Sequence, residues 1–485
     1  MLTLTRQTVR RGHTKIGCIM FRPATFMTLL ASSVILCSSS AYAGGKVEFD
    51  CPDLHNEKKR SIEPLFQGYD GWFFRDNDLK MDFSISPETA GYFGRLNKSL
   101  DKKGIKLVFV PLLSRALMAP DQVNHEDIWQ ENYDVNLARH SYAALVADLE
   151  GQGINIISLL PLSETYEKAD PYQYNFKRDI HWKPEGAKIV AGIVADNLKK
   201  IDGYDSLTKV TTLSKERAQV GRAGTITEEL QKLCKGDIEA EPFKPFEGER
   251  VLDQNADSLF GAAETTTPLA LVGTSFSAVD EFNFLPFLEE GSKLEVANFS
   301  IPGGGMFTSL ISYLSSPFFQ EHTPPIMVWE TQVVYDFNKG TENFFRQAIP
   351  AIEGPCAGDN IIAHKKVELT GEDKPYIVLD GLKKLGVSGN GYYIHLVSDN
   401  LGFKQFTFEM DYENQDGEWF PVDRSDRYDN KGHYYVELSD KISARLDRIT
   451  MKDVRNTRAN LDITLCKEHV VPKNQPSPDN TPKEK

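Results

Sequence analysis

Between residues 60 and 350 the chain alternates short apolar runs with longer amphipathic stretches. The short runs have the length and residue types of buried strands, and they are Ile105–Pro111, Ile154–Leu160, Leu269–Val272, Leu294–Phe299 and Ile326–Trp329. Asn136–Leu149 and Lys183–Ile201 carry apolar residues at helical spacing, and Pro184 stands where a helix would begin. Because strands that alternate with helices usually form a parallel sheet, the pattern predicts an α/β fold with a mostly parallel sheet flanked by helices.

The pattern changes after Gly354-Pro355-Cys356. Short runs rich in β-forming residues follow, and they are separated by turn signals such as Asp399-Asn400 and Asp416-Gly417. The runs are Lys366–Leu369, Tyr376–Leu379, Gly391–Val397, Phe403–Tyr412, His433–Leu438, Arg448–Met451 and Leu461–Cys466. This arrangement is typical of a small β-sandwich. We therefore expect one domain at 44–355, a β-sandwich at 356–470 and a disordered tail at 471–485.

The first 43 residues have the composition of a secretory signal. Five basic and no acidic residues accompany an apolar run at Phe26–Leu36, and the small residues Ala41 and Ala43 predict cleavage after Ala43. The run of about 11 residues is short of the roughly 20 that span a bilayer, which disfavours an uncleaved anchor. A start at Met20 and a lipoprotein attached through Cys37 are further alternatives. The signal predicts a periplasmic protein.

Removal of the signal leaves four cysteines, Cys51, Cys234, Cys356 and Cys466. An even number in an oxidising compartment indicates two disulfides, for which three connectivities are possible. Pairs Cys51–Cys234 and Cys356–Cys466 would place one disulfide in each half of the chain. Zinc is the alternative, but no cysteine pair has the spacing of a zinc ligand pair.

The charge of the chain limits its partners. Without the signal it has 50 basic and 69 acidic residues, a formal net charge of −19. This charge argues against nucleic acid, and a polyanion would need a local basic groove. The β-sandwich supplies candidates for such a groove, although they are equally compatible with a scattered solvated surface: Lys404, Arg424, Arg427, Lys431, Arg445, Arg448 and Arg455.

Gly273-Thr274-Ser275 follows a predicted strand and precedes a predicted helix. Ligands of open α/β sheets bind at the carboxyl ends of the strands, and helix-start N–H groups there can stabilise an oxyanion. Ser275 is therefore a candidate nucleophile. The alternative is a plain N-capping serine, a role in which serine is favoured.

Asp179-Ile180-His181 supplies a candidate base for Ser275. Residues two apart in an extended segment point to the same side, so the carboxylate could orient the imidazole while the imidazole deprotonates a serine. The alternatives are a chance Asp-x-His in a solvated loop and a metal pair. A metal is disfavoured because no third ligand stands at suitable spacing.

Two further features follow predicted strands. Pro302-Gly303-Gly304-Gly305 has backbone that a substrate could approach closely, with a flexible turn as the alternative. Tyr335 could donate to an oxyanion or contact a sugar, with half-buried packing as the alternative.

These residues lie in motifs that run in the order of a known family: DGWFFR (70–75), RDIHWKPEGA (178–187), ALVGTSFS (270–277), FLEE (287–290), PGGG (302–305), PPIMVWETQVVYD (324–336) and FFRQAIP (344–350). Together they resemble the AlgX family of alginate O-acetyltransferases, within the SGNH-hydrolase-like group. The resemblance implies Ser275 as nucleophile, Asp179 and His181 as its partners, and Tyr335 as an active-site tyrosine. It also implies two disulfides and a carbohydrate-binding β-sandwich. Lys404 lies near a polymer-binding position, but Phe406 and Phe408 replace the aromatic and basic residues expected after it.

The leading hypothesis is that acetyl groups pass through Ser275 to an exopolysaccharide, with mannuronate of alginate as the acceptor that the resemblance implies. In this hypothesis the backbone N–H of Ser275, together with Gly304 or Tyr335, holds the oxyanion. The resemblance further implies a membrane-bound acetyl donor system and a polymer export complex as partners. The sequence shows no cofactor motif, so neither a cofactor nor a metal is expected. A carbohydrate acetylesterase and a non-catalytic polysaccharide-binding scaffold are the alternatives.

Overall fold

The structure is a computed structural model, and it describes residues 51, 53–54, 63–166, 173–234, 238–251, 267–389, 391–413, 415–424, 426–427, 430–454 and 456–468. The predicted signal at 1–43, the predicted tail at 471–485 and Arg455 lie outside the described residues. None of the helices in the described ranges combines the length and hydrophobicity that a bilayer crossing requires.

The first part of the chain mixes strands and helices. Its strands are β1 (Leu65–Gln67), β2 (Phe73–Arg75), β3 (Lys106–Leu112), β4 (Asn155–Ile156), β5 (Thr211–Glu216), β6 (Val220–Arg222), β7 (Glu241–Phe243), β8 (Phe246–Val251), β9 (Leu269–Val272), β10 (Val296–Asn298) and β11 (Ile326–Gln332). Its helices are α1 (Pro87–Lys102), α2 (Arg115–Met118), α3 (Val135–Gly151), α4 (Leu160–Tyr166), α5 (Pro184–Leu198), α6 (Thr225–Cys234), α7 (Ser275–Ala278), α8 (Phe284–Ser292), α9 (Thr308–Leu314), α10 (Pro317–Glu321) and α11 (Thr341–Glu353).

A five-stranded parallel sheet forms the centre of this part, in the order β10-β9-β11-β3-β4. The three inner strands β9, β11 and β3 are buried on both faces, which explains why their sequences read as continuous apolar runs. The predicted α/β fold with a parallel sheet is confirmed. Because all five strands run in one direction, the segments after β9, β10, β11 and β3 meet at one edge of the sheet.

The predicted strand Ile154–Leu160 is wrong over most of its length. The paired strand β4 covers Asn155–Ile156, and α4 begins at Leu160. β4 lies at the sheet edge, where β3 pairs with it at two positions. Ile157 and Leu159 are nevertheless buried, so the apolar run reports burial without strand pairing.

The second part consists of two antiparallel four-stranded sheets packed face to face. Its strands are β12 (Ile361–Thr370), β13 (Tyr376–Leu379), β14 (Tyr392–Ser398), β15 (Gln405–Tyr412), β16 (Gln415–Asp423), β17 (His433–Glu437), β18 (Leu446–Lys452) and β19 (Arg458–Lys467). The sheets have the orders β12-β19-β14-β17 and β13-β18-β15-β16, with a shared core between them. The sequence missed β16, because its turn signal Asp416-Gly417 lies inside that strand. β15 and β16 are antiparallel neighbours, and the register of their pairing shifts between Met410 and Tyr412.

The sheet containing β14 and β17 packs against α1 and α11. Tyr393 and Tyr435 belong to the core of the α/β part, and the Tyr393 hydroxyl donates to the Gly354 carbonyl at 2.8 Å. Arg346 of α11 donates to the Glu437 backbone carbonyl at 2.8 and 3.0 Å. The other sheet therefore keeps its outer face towards solvent, where Trp419 is 57% exposed.

The structure contains the disulfides Cys51–Cys234 and Cys356–Cys466. The first joins the start of the described chain to the end of α6, and the second joins the segment after α11 to β19. Of the three connectivities that the sequence left open, this is the one with a disulfide in each half.

Candidate active site

Ser275 begins α7, directly after the turn Gly273-Thr274 that follows β9. Thr274 is the N-cap of this helix, since its hydroxyl accepts a hydrogen bond from the Phe276 N–H at 3.3 Å. The capping role that the sequence left open for Ser275 therefore belongs to Thr274. Ser275 is the first helical residue and is half-buried.

The structure brings Asp179, His181 and Ser275 together. His181 Nε2 lies 2.8 Å from Ser275 Oγ, and His181 Nδ1 lies 2.6 Å from Asp179 Oδ1. Residues 177–181 form a bend rather than the extended segment expected, and Asp179 Oδ1 also accepts a hydrogen bond from the His181 backbone N–H at 3.3 Å. The imidazole is thus held between a carboxylate and a hydroxyl, the arrangement in which a serine can be deprotonated.

Asp179 has further partners that come from β6 and from the start of α6. Arg222 Nε donates to Asp179 Oδ2 at 2.6 Å, and the Thr225 hydroxyl donates to Oδ1 at 3.2 Å. Gly224 permits this approach, because a Cβ there would lie 2.5 Å from the Asp179 Cβ. Burial alone would raise the pKa of Asp179, but the hydrogen bond and charge of His181, together with Arg222, hold that pKa below its ordinary value.

Aromatic rings surround His181. The Phe276 and Phe282 rings lie 4.8 and 4.9 Å from the imidazole, measured between ring centres, and His181 is buried. The Trp182 ring packs against the Phe276 ring in an edge-to-face arrangement at 5.2 Å between ring centres. The Phe276 and Phe282 rings pack against the imidazole and contribute to its burial.

The backbone N–H of Ser275 is available to a ligand. Thr274 N–H donates to Glu330, and the Phe276 N–H donates to Thr274 Oγ1. Within the described parts of the chain, no hydrogen bond engages the N–H of Ser275. A free N–H on the nucleophile itself is the usual first donor of an oxyanion hole.

Pro302-Gly303-Gly304-Gly305 forms a glycine loop after β10. Gly304 and Lys404 line one groove, of about 1230 Å³, between this glycine loop and the β-sandwich. The glycine loop lies beside the turn before Ser275, because Ile301 N–H donates to the Gly273 carbonyl at 3.0 Å. Tyr335 is half-buried after β11, and burial together with the charge of Glu330 raises its pKa to about 12. Among the described contacts, none joins Gly304 or Tyr335 directly to Ser275.

The β-sandwich differs in part from the sequence expectation. Phe406 and Phe408 lie in its core, and Arg424 is buried against Gln347, so Arg424 does not belong to an exposed basic patch. The exposed aromatic is Trp419, with Lys452 Nζ 4.3 Å from its ring centre. Sequence reasoning missed Trp419 because it lies in β16, the strand that was not predicted.

Comparisons with known proteins agree with this architecture. Residues 65–333 match the family model described as "SGNH hydrolase-like domain, acetyltransferase AlgX". "Alginate biosynthesis protein AlgX" of Pseudomonas aeruginosa is 30% identical over 375 residues, which are 77% of each chain. "Probable alginate O-acetylase AlgJ" of the same species is 26% identical over 278 residues, 54% of this chain and 68% of AlgJ.

A solved structure of Pseudomonas aeruginosa AlgX superposes with a TM-score of 0.75 at 26% identity, covering 86% of this chain and 99% of that one. The likeness extends over both the α/β part and the β-sandwich. The resemblance inferred from the motifs is confirmed. The chain belongs to the family of the SGNH hydrolase-like acetyltransferase AlgX.

Proposed function

We propose that this protein is a periplasmic O-acetyltransferase that moves acetyl groups through Ser275 onto hydroxyls of an exopolysaccharide. The observation that carries the proposal is His181, held 2.8 Å from the Ser275 hydroxyl and 2.6 Å from the Asp179 carboxylate. Membership of the acetyltransferase family supports the reaction type. The names of the AlgX and AlgJ relatives support alginate, and hence mannuronate hydroxyls, as the acceptor.

In the first half-reaction Ser275 Oγ attacks the carbonyl carbon of an acetyl donor. His181 Nε2 takes the hydroxyl proton, while Asp179 accepts from Nδ1–H and stabilises the imidazolium. The Ser275 N–H stabilises the oxyanion. The tetrahedral intermediate collapses, the bond to the donor's leaving group breaks, and that group takes the proton from His181.

In the second half-reaction a sugar hydroxyl attacks the acetyl carbon. His181 Nε2 accepts its proton and then returns that proton to Ser275 Oγ as the acetyl–serine bond breaks. The low pKa of Asp179 keeps the carboxylate ionised throughout. Water competes with the sugar for the same intermediate, so the bound acceptor decides between transfer and hydrolysis.

We propose that residues 44–355 carry the chemistry and that residues 356–470 bind the polymer. The groove that contains Gly304 and Lys404 borders both parts. Beyond it, the outer face of the exposed sheet presents Trp419, an aromatic surface of the kind on which a sugar ring can stack.

We also propose the cellular setting from the family resemblance. The segment 1–43 acts as the export signal, a membrane-bound system delivers the acetyl groups, and the polymer export complex lies nearby. The reaction as written requires no cofactor or metal.

Incubation of the mature protein with p-nitrophenyl acetate and a mannuronate oligosaccharide tests the reaction. We expect mass spectrometry to show acetylated oligosaccharide with the wild type and none with Ser275→Ala. Ser206→Ala, a change on an exposed turn, is the matched control and should behave as wild type.

Acetylated sugar formed by Ser275→Ala at the wild-type rate would refute the proposal. Free acetate without acetylated sugar would instead identify an esterase. Circular dichroism of each variant verifies that the fold is intact.

A further inference from the structure

A carboxylate lies completely buried beneath the turn before Ser275. Glu330 is in β11, the strand adjacent to β9, and its side chain has no exposed surface. Glutamate is almost never fully buried without partners, since the loss of hydration is costly. The triad does not use this residue, so its burial calls for another role.

Among the described residues, the hydrogen-bond partners of the Glu330 carboxylate are Thr274 and Ser277, which lie on either side of Ser275 where β9 passes into α7. Thr274 N–H and the Ser277 hydroxyl donate to Oε2 at 2.8 and 2.9 Å, and the Thr274 hydroxyl donates to Oε1 at 2.9 Å. The Thr274 hydroxyl also accepts from the Phe276 N–H. Glu330 therefore holds the residue before Ser275 directly and the residue after it through Thr274.

Gly273 makes this contact possible. A Cβ at residue 273 would lie 2.5 Å from Glu330 Oε2, closer than any side-chain carbon tolerates. The backbone at Gly273 therefore lies directly against the Glu330 carboxylate.

We propose that Glu330 is the positioning residue for the nucleophile: it fixes the 273–277 segment so that the Ser275 hydroxyl meets His181 and the Ser275 N–H stays free. The inference rests on the proposed role of Ser275. Burial raises the pKa of Glu330 to about 7, although the hydrogen bonds from Thr274 and Ser277 lower it. The raised pKa means that an ionised carboxylate at this position costs free energy.

The first test compares Glu330→Ala and Glu330→Gln with Glu437→Gln. Glu437 is a matched control, because it is equally buried and its pKa is also raised to about 7, but it contacts Arg95 of α1. We measure kcat and KM for hydrolysis of p-nitrophenyl acetate, and the rate at which phenylmethylsulfonyl fluoride modifies Ser275.

We expect Glu330→Ala to lower kcat about 100-fold, since a displacement of the nucleophile by about 1 Å has that effect. KM should change by less than about twofold, because substrate contacts remain. Glu330→Gln keeps an acceptor oxygen and should recover part of the rate. Ser275 sulfonylation should slow in parallel, whereas Glu437→Gln should react as wild type.

A second set of variants keeps the proposal testable if Glu330→Ala does not fold. Ser277→Ala and Thr274→Val each remove a donor to the carboxylate with little change of volume. Combined with Glu330→Gln, each should show a smaller loss than the sum of the separate losses, because the partners act as one unit.

The inference would be overturned if folded Glu330→Ala kept the wild-type kcat and sulfonylation rate, or if Glu437→Gln lost as much. Fully additive losses in the double variants would also overturn it. Sulfonylation requires no sugar acceptor. It therefore reports the position of Ser275 even if the protein does not acetylate a polysaccharide.

Discussion

Among single residues, the Asp179 carboxylate accepts more hydrogen bonds than the orientation of His181 requires. Two come from His181 itself, one from Arg222 and one from the Thr225 hydroxyl. A buried carboxylate with this many donors stays ionised well below neutral pH. Because its pKa is lowered, the stability it contributes is present above the ordinary value of 3.8 and is lost only as the pH falls below it.

Arg222→Met should therefore destabilise the protein at pH 7 by about 2 kcal/mol, because it removes a charged hydrogen bond to a buried carboxylate. Urea unfolding measures the change. Arg448→Met, which breaks the exposed pair with Asp411, is the control and should cost less than about 1 kcal/mol. Equal losses in the two variants would contradict a special role for Arg222.

The sequence predicted the candidate triad but not the residues that contact it. Asp179 and His181 are two residues apart, so their partnership leaves a local pattern. Arg222 joins the site across 43 residues and Glu330 contacts Thr274 across 56, and neither contact leaves a periodic or spacing signal. Such contacts depend on which strands become neighbours, which a single sequence does not specify.

Among the elements, α6 connects a disulfide to the candidate site. Its first residue, Thr225, donates to Asp179, and its last, Cys234, is bonded to Cys51. Between them Ile226 and Leu230 pack in a small separate core with Leu65. The disulfide thus secures the far end of the helix whose start contacts the carboxylate.

Replacement of both Cys51 and Cys234 by serine should lower stability by about 5 kcal/mol in the chain-entropy model. Where the variant is still folded, kcat should fall about tenfold, because Thr225 loses its fixed position. Calorimetry and p-nitrophenyl acetate hydrolysis measure the two effects.

The matched control replaces Cys356 and Cys466, which are separated by 110 residues against 183 for the first pair. Loop entropy depends only weakly on length, so the loss of stability should be similar. The kcat of the variant without Cys356 and Cys466 should be unchanged. A decrease of kcat in both variants would show that activity follows global stability rather than α6.

Element by element, the sequence predicted most of the central sheet. Leu269–Val272 is β9 residue for residue, and the confirmed α/β class follows from such runs. The strands that the sequence misplaced or missed are β4 and β16 at sheet edges and the members of the two-stranded sheets, β1, β2 and β5 to β8. Each of them pairs with a single neighbour, and that pairing is set by tertiary contacts rather than by the apolar pattern.

In the whole molecule, the attachment of the β-sandwich determines which of its faces can receive a ligand. One sheet is covered by α1 and α11, so the other presents the free face. Across that face Trp419 pairs with Glu409, Glu409 with Thr450 and Thr450 with Ile377. These residues form a row perpendicular to the strands.

Trp419→Ala should weaken binding of a mannuronate oligosaccharide about fivefold, the effect of losing about 1 kcal/mol of ring stacking. Calorimetric titration measures the affinity. Leu385→Ala, another exposed apolar residue outside the row, should bind as wild type. Unchanged affinity in Trp419→Ala would exclude this face as the binding surface, and p-nitrophenyl acetate hydrolysis should be normal in both variants.

The central position of β11 also affects the newborn chain. Because the chain is made and exported from its N-terminus, β3 and β4 are the first strands of the central sheet to appear. β11, which pairs with β3 along its whole length, follows only near the end of the α/β part. Until then Leu107 to Val110 present an open, hydrophobic strand edge on which other chains can aggregate. A nascent chain interrupted before Ile326 contains the serine, the histidine and the aspartate but lacks the strand that joins the two halves of the sheet.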